Sequence, residues 1–455
     1  MNDYRKSNGI SVYHSCIILL FLLIVLIQSA SAADTMFRAN AEHTGVYDDG
    51  GIVPTNTELW RFKTGGAVYS SPAVSNGVIY FGSDDNNLYA IDAVTGKEKW
   101  RFKTGGHVVS SPAVSNGVVY VLSQDNILYA IDAVTGIEKW LFRFRTTRSS
   151  TSFSSPVVSN GVVYVGSMNN YLYAIDAVTG KEKWRFPTGY NVYSSPAVSN
   201  GVVYVGVVYD GNYDGNLYAI DTMTGNEKWR FKTGSEVTSP AVSNGVVYIG
   251  GHYDYQYSSD VETVYAIDAV SGIEKWRFSN GGNVEPAVSN GVVYVGSWDK
   301  NLFAIDAITG TEKWRFKTGG AVSSSPAVSN GVVYVGSTDE NLYAIDAITG
   351  TEKWRFKTGG EMYSSPAVSN GVVYVGSNDG FLYAVGMLSD QVNTEITPSS
   401  QTTAPPQTMT PNPTTDTNGE SPSLWDRNIL VYLILLVFVV LFGALVYDTY
   451  YKKKK

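Results

Sequence analysis

The sequence predicts an all-β chain: an eight-bladed β-propeller of four-stranded blades, closed by an N-terminal strand and followed by one C-terminal transmembrane helix. Three observations carry this expectation. Tryptophan recurs at Trp60, Trp100, Trp140, Trp184, Trp229, Trp276, Trp314 and Trp354, at spacings of 40, 40, 44, 45, 47, 38 and 40 residues, the period of a solenoid, propeller or array. Every unit places Asn-Gly between two β-rich runs, the strongest short hairpin signal, because a type I′ turn needs positive φ at both central positions. Near the end, residues 429–446 form an uncharged run of 18 positions, about 27 Å of helix at 1.5 Å per residue.

Taken in order, residues 1–32 have the pattern of a secretory signal peptide. Arg5 and Lys6 precede a 12-residue apolar run at 16–27, and Ala30-Ser31-Ala32 offers a cleavage site. That run is too short to span a bilayer. Residues 33–57 form a lead-in, and the propeller spans 58–388. In its first unit strands are expected at 67–74, 78–83, 88–93 and 98–103. Pro72, Pro112, Pro156, Pro196, Pro240, Pro286, Pro326 and Pro366 then fall inside the first strand of each unit. Proline cannot donate to a ladder, so this strand is placed at the inner edge, facing the channel. The last unit lacks a fourth strand, and the spare run at 58–63 supplies it, so that both ends meet in one sheet. The seven aspartates Asp92, Asp132, Asp176, Asp221, Asp268, Asp306 and Asp346 recur as turn residues, because Asp bonds its own backbone in turns. Seven equivalent catalytic bases would make no chemical sense.

Residues 389–424 are rich in Thr, Ser and Pro, a composition that forms no core and acts as an extended stalk. The transmembrane helix is expected at 425–447, with a basic cytoplasmic tail at 448–455 ending in four lysines. By the positive-inside rule the chain is then a single-pass protein of the cell membrane, with its propeller outside the cytoplasm. Of 455 residues only 16% are charged, 13% are aromatic, and the formal net charge is −8. The acidic balance argues against nucleic acid, which needs a basic face. Cys16 is the one cysteine, which excludes a disulfide framework and any multi-cysteine metal site.

The recurring Tyr-Val-Gly-Ser and Leu-Tyr-Ala-Ile-Asp-Ala-x-Thr-Gly-x-x-x-Trp runs resemble the pyrroloquinoline-quinone-like (PQQ-like) propeller repeat, with its tryptophan-docking outer strand. That fold occurs in quinoprotein alcohol dehydrogenases and in the BamB lipoprotein of the outer-membrane assembly machinery. The resemblance implies that each marker tryptophan wedges between adjacent blades. It also implies, for the dehydrogenases, an axial quinone beside calcium. This sequence has neither the adjacent-cysteine pair nor the long insertions of those enzymes, so no cofactor is expected. PQQ with calcium belongs only to the alternative reading.

Differences among the units collect on one face. There lie Arg143 and Arg145, Tyr209 and Tyr213, Tyr253 and Tyr255, and Trp298. The axial mouth on that face is expected to carry Ala67, His107, Thr151, Asn191, Glu236, Asn283, Ala321 and Glu361, of which His107, Asn191, Glu236, Asn283 and Glu361 are candidate ligand contacts. A Tyr, Arg and Trp surface suits an extracellular protein or carbohydrate partner. Asp210, Asn212 and Asp214 match the start of a calcium loop, but the completing acidic residue is not in place, and a duplicated turn fits better. Two functions follow. The first is a non-catalytic binding or scaffold module at the cell surface, with no catalytic residues. The alternative is a PQQ-dependent oxidoreductase. The near-identity of the units favours the first, since a catalytic pocket needs units that have diverged for separate roles.

Overall fold

The computed structural model describes residues 35–47, 51–145, 153–207, 215–233, 236–252, 263–279 and 284–387. The chain divides into a first unit, Met1–Thr397, and a second, Pro398–Lys455. The second lies wholly outside the described residues, as do the expected signal peptide, stalk and transmembrane helix. Among the described residues, no helix is long and apolar enough to cross a membrane.

Strand β1 (Glu58–Lys63) precedes the first blade, which is built from β2 (Ala73–Ser75), β3 (Val78–Gly82), β4 (Asn87–Asp92) and β5 (Glu98–Lys103), antiparallel in that order. The pattern recurs to give eight sheets. Each inner hairpin turns through Asn-Gly with both residues at positive φ, 50° at Asn76 and 71° at Gly77, as a type I′ turn requires. At the next turn the Asp92 carboxylate accepts from the backbone and hydroxyl of Thr95, and the six equivalent aspartates do the same with Thr or Ser. In the eighth sheet Phe381–Gly386 pairs antiparallel with β1, supplying the missing fourth strand from the opposite end of the chain.

The innermost strands are shorter than the sequence suggested. They hold three residues rather than eight, and Pro72 precedes β2 instead of lying within it. The physical reason lies in where the preceding groups bond. Val68 donates to the Ser377 carbonyl of blade eight, the Ser70 hydroxyl to the Ser110 carbonyl of blade two, and the Ser71 amide to the Ser111 hydroxyl. The segment therefore joins blades instead of extending its own sheet.

Between blades the marker tryptophan makes the main joint. A bulge places Lys99 as an extra residue opposite the Ala90–Ile91 step, which re-aims Trp100. The Trp100 indole donates to the Ala133 carbonyl of the next blade at 3.1 Å, and the Tyr80 hydroxyl donates to the same oxygen at 3.0 Å. The two rings lie 5.8 Å apart. Equivalent bonds run from Trp60 to Ala93, Trp140 to Ala177, Trp184 to Thr222, Trp229 to Ala269, Trp276 to Ala307 and Trp314 to Ala347. Trp354 closes the series on the carbonyl of Pro54 in the lead-in. Each of the other seven indoles also lies against the turn glycine of the next blade. A Cβ at Gly180 would stand 2.6 Å from the Trp140 ring.

Two outcomes test this account. Gly161 and Gly180 share positive φ, 71° and 67°, but a Cβ at Gly161 meets nothing within 4 Å. Both alanine variants carry the cost of left-handed backbone, and Gly180→Ala adds the clash. It should lose about 1–3 kcal/mol more than Gly161→Ala, read from denaturant midpoints. The second outcome concerns pH. Backbone donors of Thr or Ser, with their hydroxyls and a paired lysine, hold the carboxyls of Asp132, Asp268, Asp306 and Asp346 down at about 2. A depressed carboxyl stabilises the fold above its unfolded pKa and ceases to do so as pH falls through the folded value. Thermal midpoints should therefore be flat with respect to these groups above pH ~4 and fall progressively between ~4 and ~2.

Candidate functional site

The innermost segments bring one serine from every blade but the sixth toward the axis, and these bond blade to blade. The amides of Ser71, Ser111, Ser155 and Ser195 donate in turn to the hydroxyls of Ser111, Ser155, Ser195 and Ser239. The amide of Ser325 donates to Ser365, and that of Ser365 to Ser71. Blade six breaks the series. Its phrase is Val284-Glu285-Pro286 where its neighbour has Ser324-Ser325-Pro326, and the Glu285 carboxylate accepts from Ser239 on one side at 3.2 Å and Ser325 on the other at 2.9 Å.

Below this ring the lead-in crosses the channel. Residues 35–47 bond successively to inner strands of blades two, four, five, six and seven: Thr35 with Val114, then Ala41, Glu42, Thr44 and Gly45 as acceptors from Val198, Val242, Val288 and Val328. The plug takes up edge donors that would otherwise face the channel. Its Arg38 is 2% exposed, has φ of 58°, and reaches the Ser239 carbonyl at 3.5 Å. Burial pulls the guanidinium pKa down to about 10, offset by the charge of Glu285. Burial, followed by the charge of Arg38, also holds His43 well below its ordinary value, so it stays neutral.

Above the ring two cavities open at the mouth. One, of about 370 Å³, is lined by Tyr69, Asp84, His107, Val109, Gln124, Phe153 and Tyr363. The other, of about 300 Å³, is lined by Phe153, Tyr193, Ser194, Glu236, Val237, Thr238, Ser239, Glu285 and Trp298. Phe153 belongs to both. Tyr69 packs against Tyr363, and Phe153 against Tyr193, while Phe153 and Trp298 stay about half exposed. Burial raises the Asp84 carboxyl, an effect that His107 opposes, and His107 Nδ1 contacts the Asp84 carbonyl oxygen.

The second cavity exists because the inner loops are short on that side. Blade one has Val68-Tyr69-Ser70-Ser71-Pro72, blade five Val237-Thr238-Ser239-Pro240, and blade six Val284-Glu285-Pro286. The loop clips on the mouth face thin out on the same side. Asp85, Asp125, Asp339 and Asp379 each accept from a tyrosine hydroxyl in their own blade. In blade three Asn169 takes the aspartate's place, and in blade six Phe303 stands where the tyrosine would be.

Of the expected contacts, the structure thus gathers His107, Glu236 and Trp298 at the mouth. Glu361 is exposed and accepts from the Tyr363 hydroxyl, and Asn191 is half-buried beside Tyr193 in the chain. Arg143 ends the outer strand Glu138–Arg143, and Arg145 follows it, its carbonyl accepting from the Asn169 amide of the blade-three clip. Tyr209, Asp210, Asn212, Tyr213, Asp214, Tyr253, Tyr255 and Asn283 lie outside the described residues. The sequence reading missed Tyr69, Phe153, Tyr193 and Tyr363, although an aromatic directly before Ser-Ser-Pro in four units was a readable signal. It also missed Glu285 and Arg38. Among the described residues no three His, Cys, Asp or Glu side chains converge as metal ligands.

Comparison with known proteins follows the same lines. A family profile described as outer membrane protein assembly factor BamB matches residues 50–157, 141–261 and 260–410. No curated protein sequence matches significantly. Among solved structures, the quinohemoprotein alcohol dehydrogenase of Comamonas testosteroni is 17% identical, with 78% of this chain and 80% of that one covered, at a TM-score of 0.65. BamB of Moraxella catarrhalis is 17% identical, covering 73% and 97%, at 0.59. A computationally designed protein, Ika8, is 17% identical, covering 72% and 99%, at 0.62. At such identities the likeness is one of fold.

The Glu285 and Arg38 geometry makes a prediction. Glu285→Ala leaves a buried cation without its counter-charge and two serine hydroxyls without their acceptor, and should cost about 1–3 kcal/mol. The double variant Arg38→Met with Glu285→Ser restores the serine ring and removes the charge. Its denaturant midpoint should return most of the way to that of the parent.

Proposed function

Because the chain belongs to the PQQ-like repeat family whose profile is described as outer membrane protein assembly factor BamB, we propose that it is a non-catalytic binding or scaffold module, displayed at the cell surface on a single C-terminal membrane anchor. The carrying observation is the coincidence of three things on blades three to six: shortened inner loops, exposed aromatics, and carboxylates from Glu236 and Glu285 in one cavity. Aromatic anchors that keep half their surface in water are the residues that dominate partner binding when covered. The family's description as an assembly factor supports a protein partner, with carbohydrate as the other ligand class that aromatic faces accept. The signal peptide and the anchor rest on the sequence pattern at 1–32 and 425–447.

The test is photo-cross-linking capture by the full chain in its native membrane, followed by titration of the captured protein. Trp298→Ala and Phe153→Ala should each weaken binding by about 2–4 kcal/mol, roughly 30- to 1000-fold in Kd, while a variant on the opposite face binds as the parent does. Retention on a glycan array with the same dependence on Trp298 would assign carbohydrate instead. Stoichiometric uptake of added PQQ with calcium, accompanied by dye-linked alcohol oxidation, would overturn the reading in favour of the oxidoreductase.

A further inference from the structure

The face opposite the mouth carries a ring of apolar side chains that the fold does not need. The residue two places after each turn aspartate donates its amide to that aspartate and points its side chain into solvent. Val134, Val178, Met223, Val270, Ile308 and Ile348 are 82–88% exposed there, and Val94 is 58% exposed. Turn chemistry makes no demand for an apolar residue at such a position. Copying of the units does not explain it either, because a neighbouring position supplies a control. The residue after the turn glycine is exposed too, yet it is lysine in blades one and three, isoleucine in two and five, asparagine in four and threonine in six and seven. The ring position changes identity among Val, Met and Ile but never leaves the aliphatic class.

We infer that this ring is a docking surface for a lipid bilayer. Three observations select that occupant. The ring runs round the circumference: in the eighth blade the Pro54 carbonyl takes the tryptophan bond that Ala or Thr carbonyls take elsewhere, and Val53 beside it is exposed as well. A flat annulus with no preferred arc suits a planar partner read by apolar burial alone, whereas a globular protein would touch only part of it. The adjoining charges cancel locally, since each turn aspartate is paired with a lysine of the outer strand. Finally, the chain leaves the propeller on this face. Met387, the last described residue, donates to the Gly371 carbonyl as Ala93 donates to Gly77, and the apolar run at 429–446 follows it in the sequence. The inference rests on the membrane-anchored reading above and goes past it: the propeller lies on the bilayer, and its mouth faces away.

The experiment uses the full chain carrying Cys16→Ser and one new cysteine, Val178→Cys on the ring or Ala321→Cys at the mouth. Each is spin-labelled and reconstituted into phosphatidylcholine vesicles. Docking predicts that the ring label loses most of its collisions with a water-soluble nickel chelate while it keeps those with dioxygen, and that the mouth label keeps both. Replacing the other six ring residues by serine should return the ring label to water without lowering the thermal midpoint, because the turns bond through backbone. A ring label fully accessible to nickel in the parent overturns the inference. So does dipolar coupling between ring labels of two copies, which would assign the face to self-association. If alkaline carbonate extracts the chain, the anchor reading fails on its own, and flotation decides the docking. A chain that floats with vesicles only when the ring is aliphatic supports it, and a chain that sinks with the ring intact overturns it.

Discussion

Everything in this molecule depends on how one blade is held to the next. A four-stranded sheet has two faces and an outer edge, and alone it could bury neither face. The joint solves this with few parts: an indole and a phenol from one blade share a carbonyl oxygen of the next, and the indole lies against a glycine that can hold positive φ. Burial supplies the driving force, but the shared acceptor and the bare glycine fix the angle between blades. Repeated round the ring, that angle sets the number of blades. The bulge at each Glu-Lys-Trp belongs to the same device, since without the extra residue the indole would project from the wrong face of its strand.

A ring of identical joints has no preferred direction, so specificity requires departures from it. They are concentrated. Blade six gives up two residues and a serine and gains Glu285; blade five gives up one residue; blade three loses the aspartate of its clip. Glu285 is coupled to the mouth above and to Arg38 below, and Arg38 comes from a plug that the repeats do not encode. Polar ring, plug and mouth form one connected arrangement along the axis, in which a carboxylate answers to hydroxyls at its sides and to a buried cation beneath it.

Much of this was legible in the sequence, and the limits have physical causes. Blade number, hairpins, ring closure by β1 and the docking tryptophans all follow from short-range chemistry repeated at a fixed period, and the structure has each of them. The length of the innermost strand was overestimated because alternation of apolar residues at 67–74 does not reveal which blade their backbone groups will bond. Arg143 and Arg145 stood out as charges in an expanded loop, of which residues 146–152 lie outside the described residues. Trp298, His107 and Glu236, which line the cavities at the mouth, stood out in the sequence because they break the repeat. Tyr69 and Phe153 were overlooked for the opposite reason: they conform to a pattern, and a pattern residue is easily taken for packing. The plug was invisible, because residues 35–47 have no period and acquire their partners only from five separate blades.

The closure by β1 also bears on how the chain is made. The partner of β1 lies more than 300 residues downstream, at Phe381–Gly386, and such distant pairings form slowly. During synthesis from the N-terminus, seven blades can form in succession while β1 and the plug wait without a sheet and the growing stack presents an uncovered apolar sheet face at each end. The first structured residues to emerge are thus among the last to be secured, and the interval between the two is set by the length of the ring. A stop or truncation before residue 381 would leave not a smaller propeller but an open arc with two uncovered sheet faces.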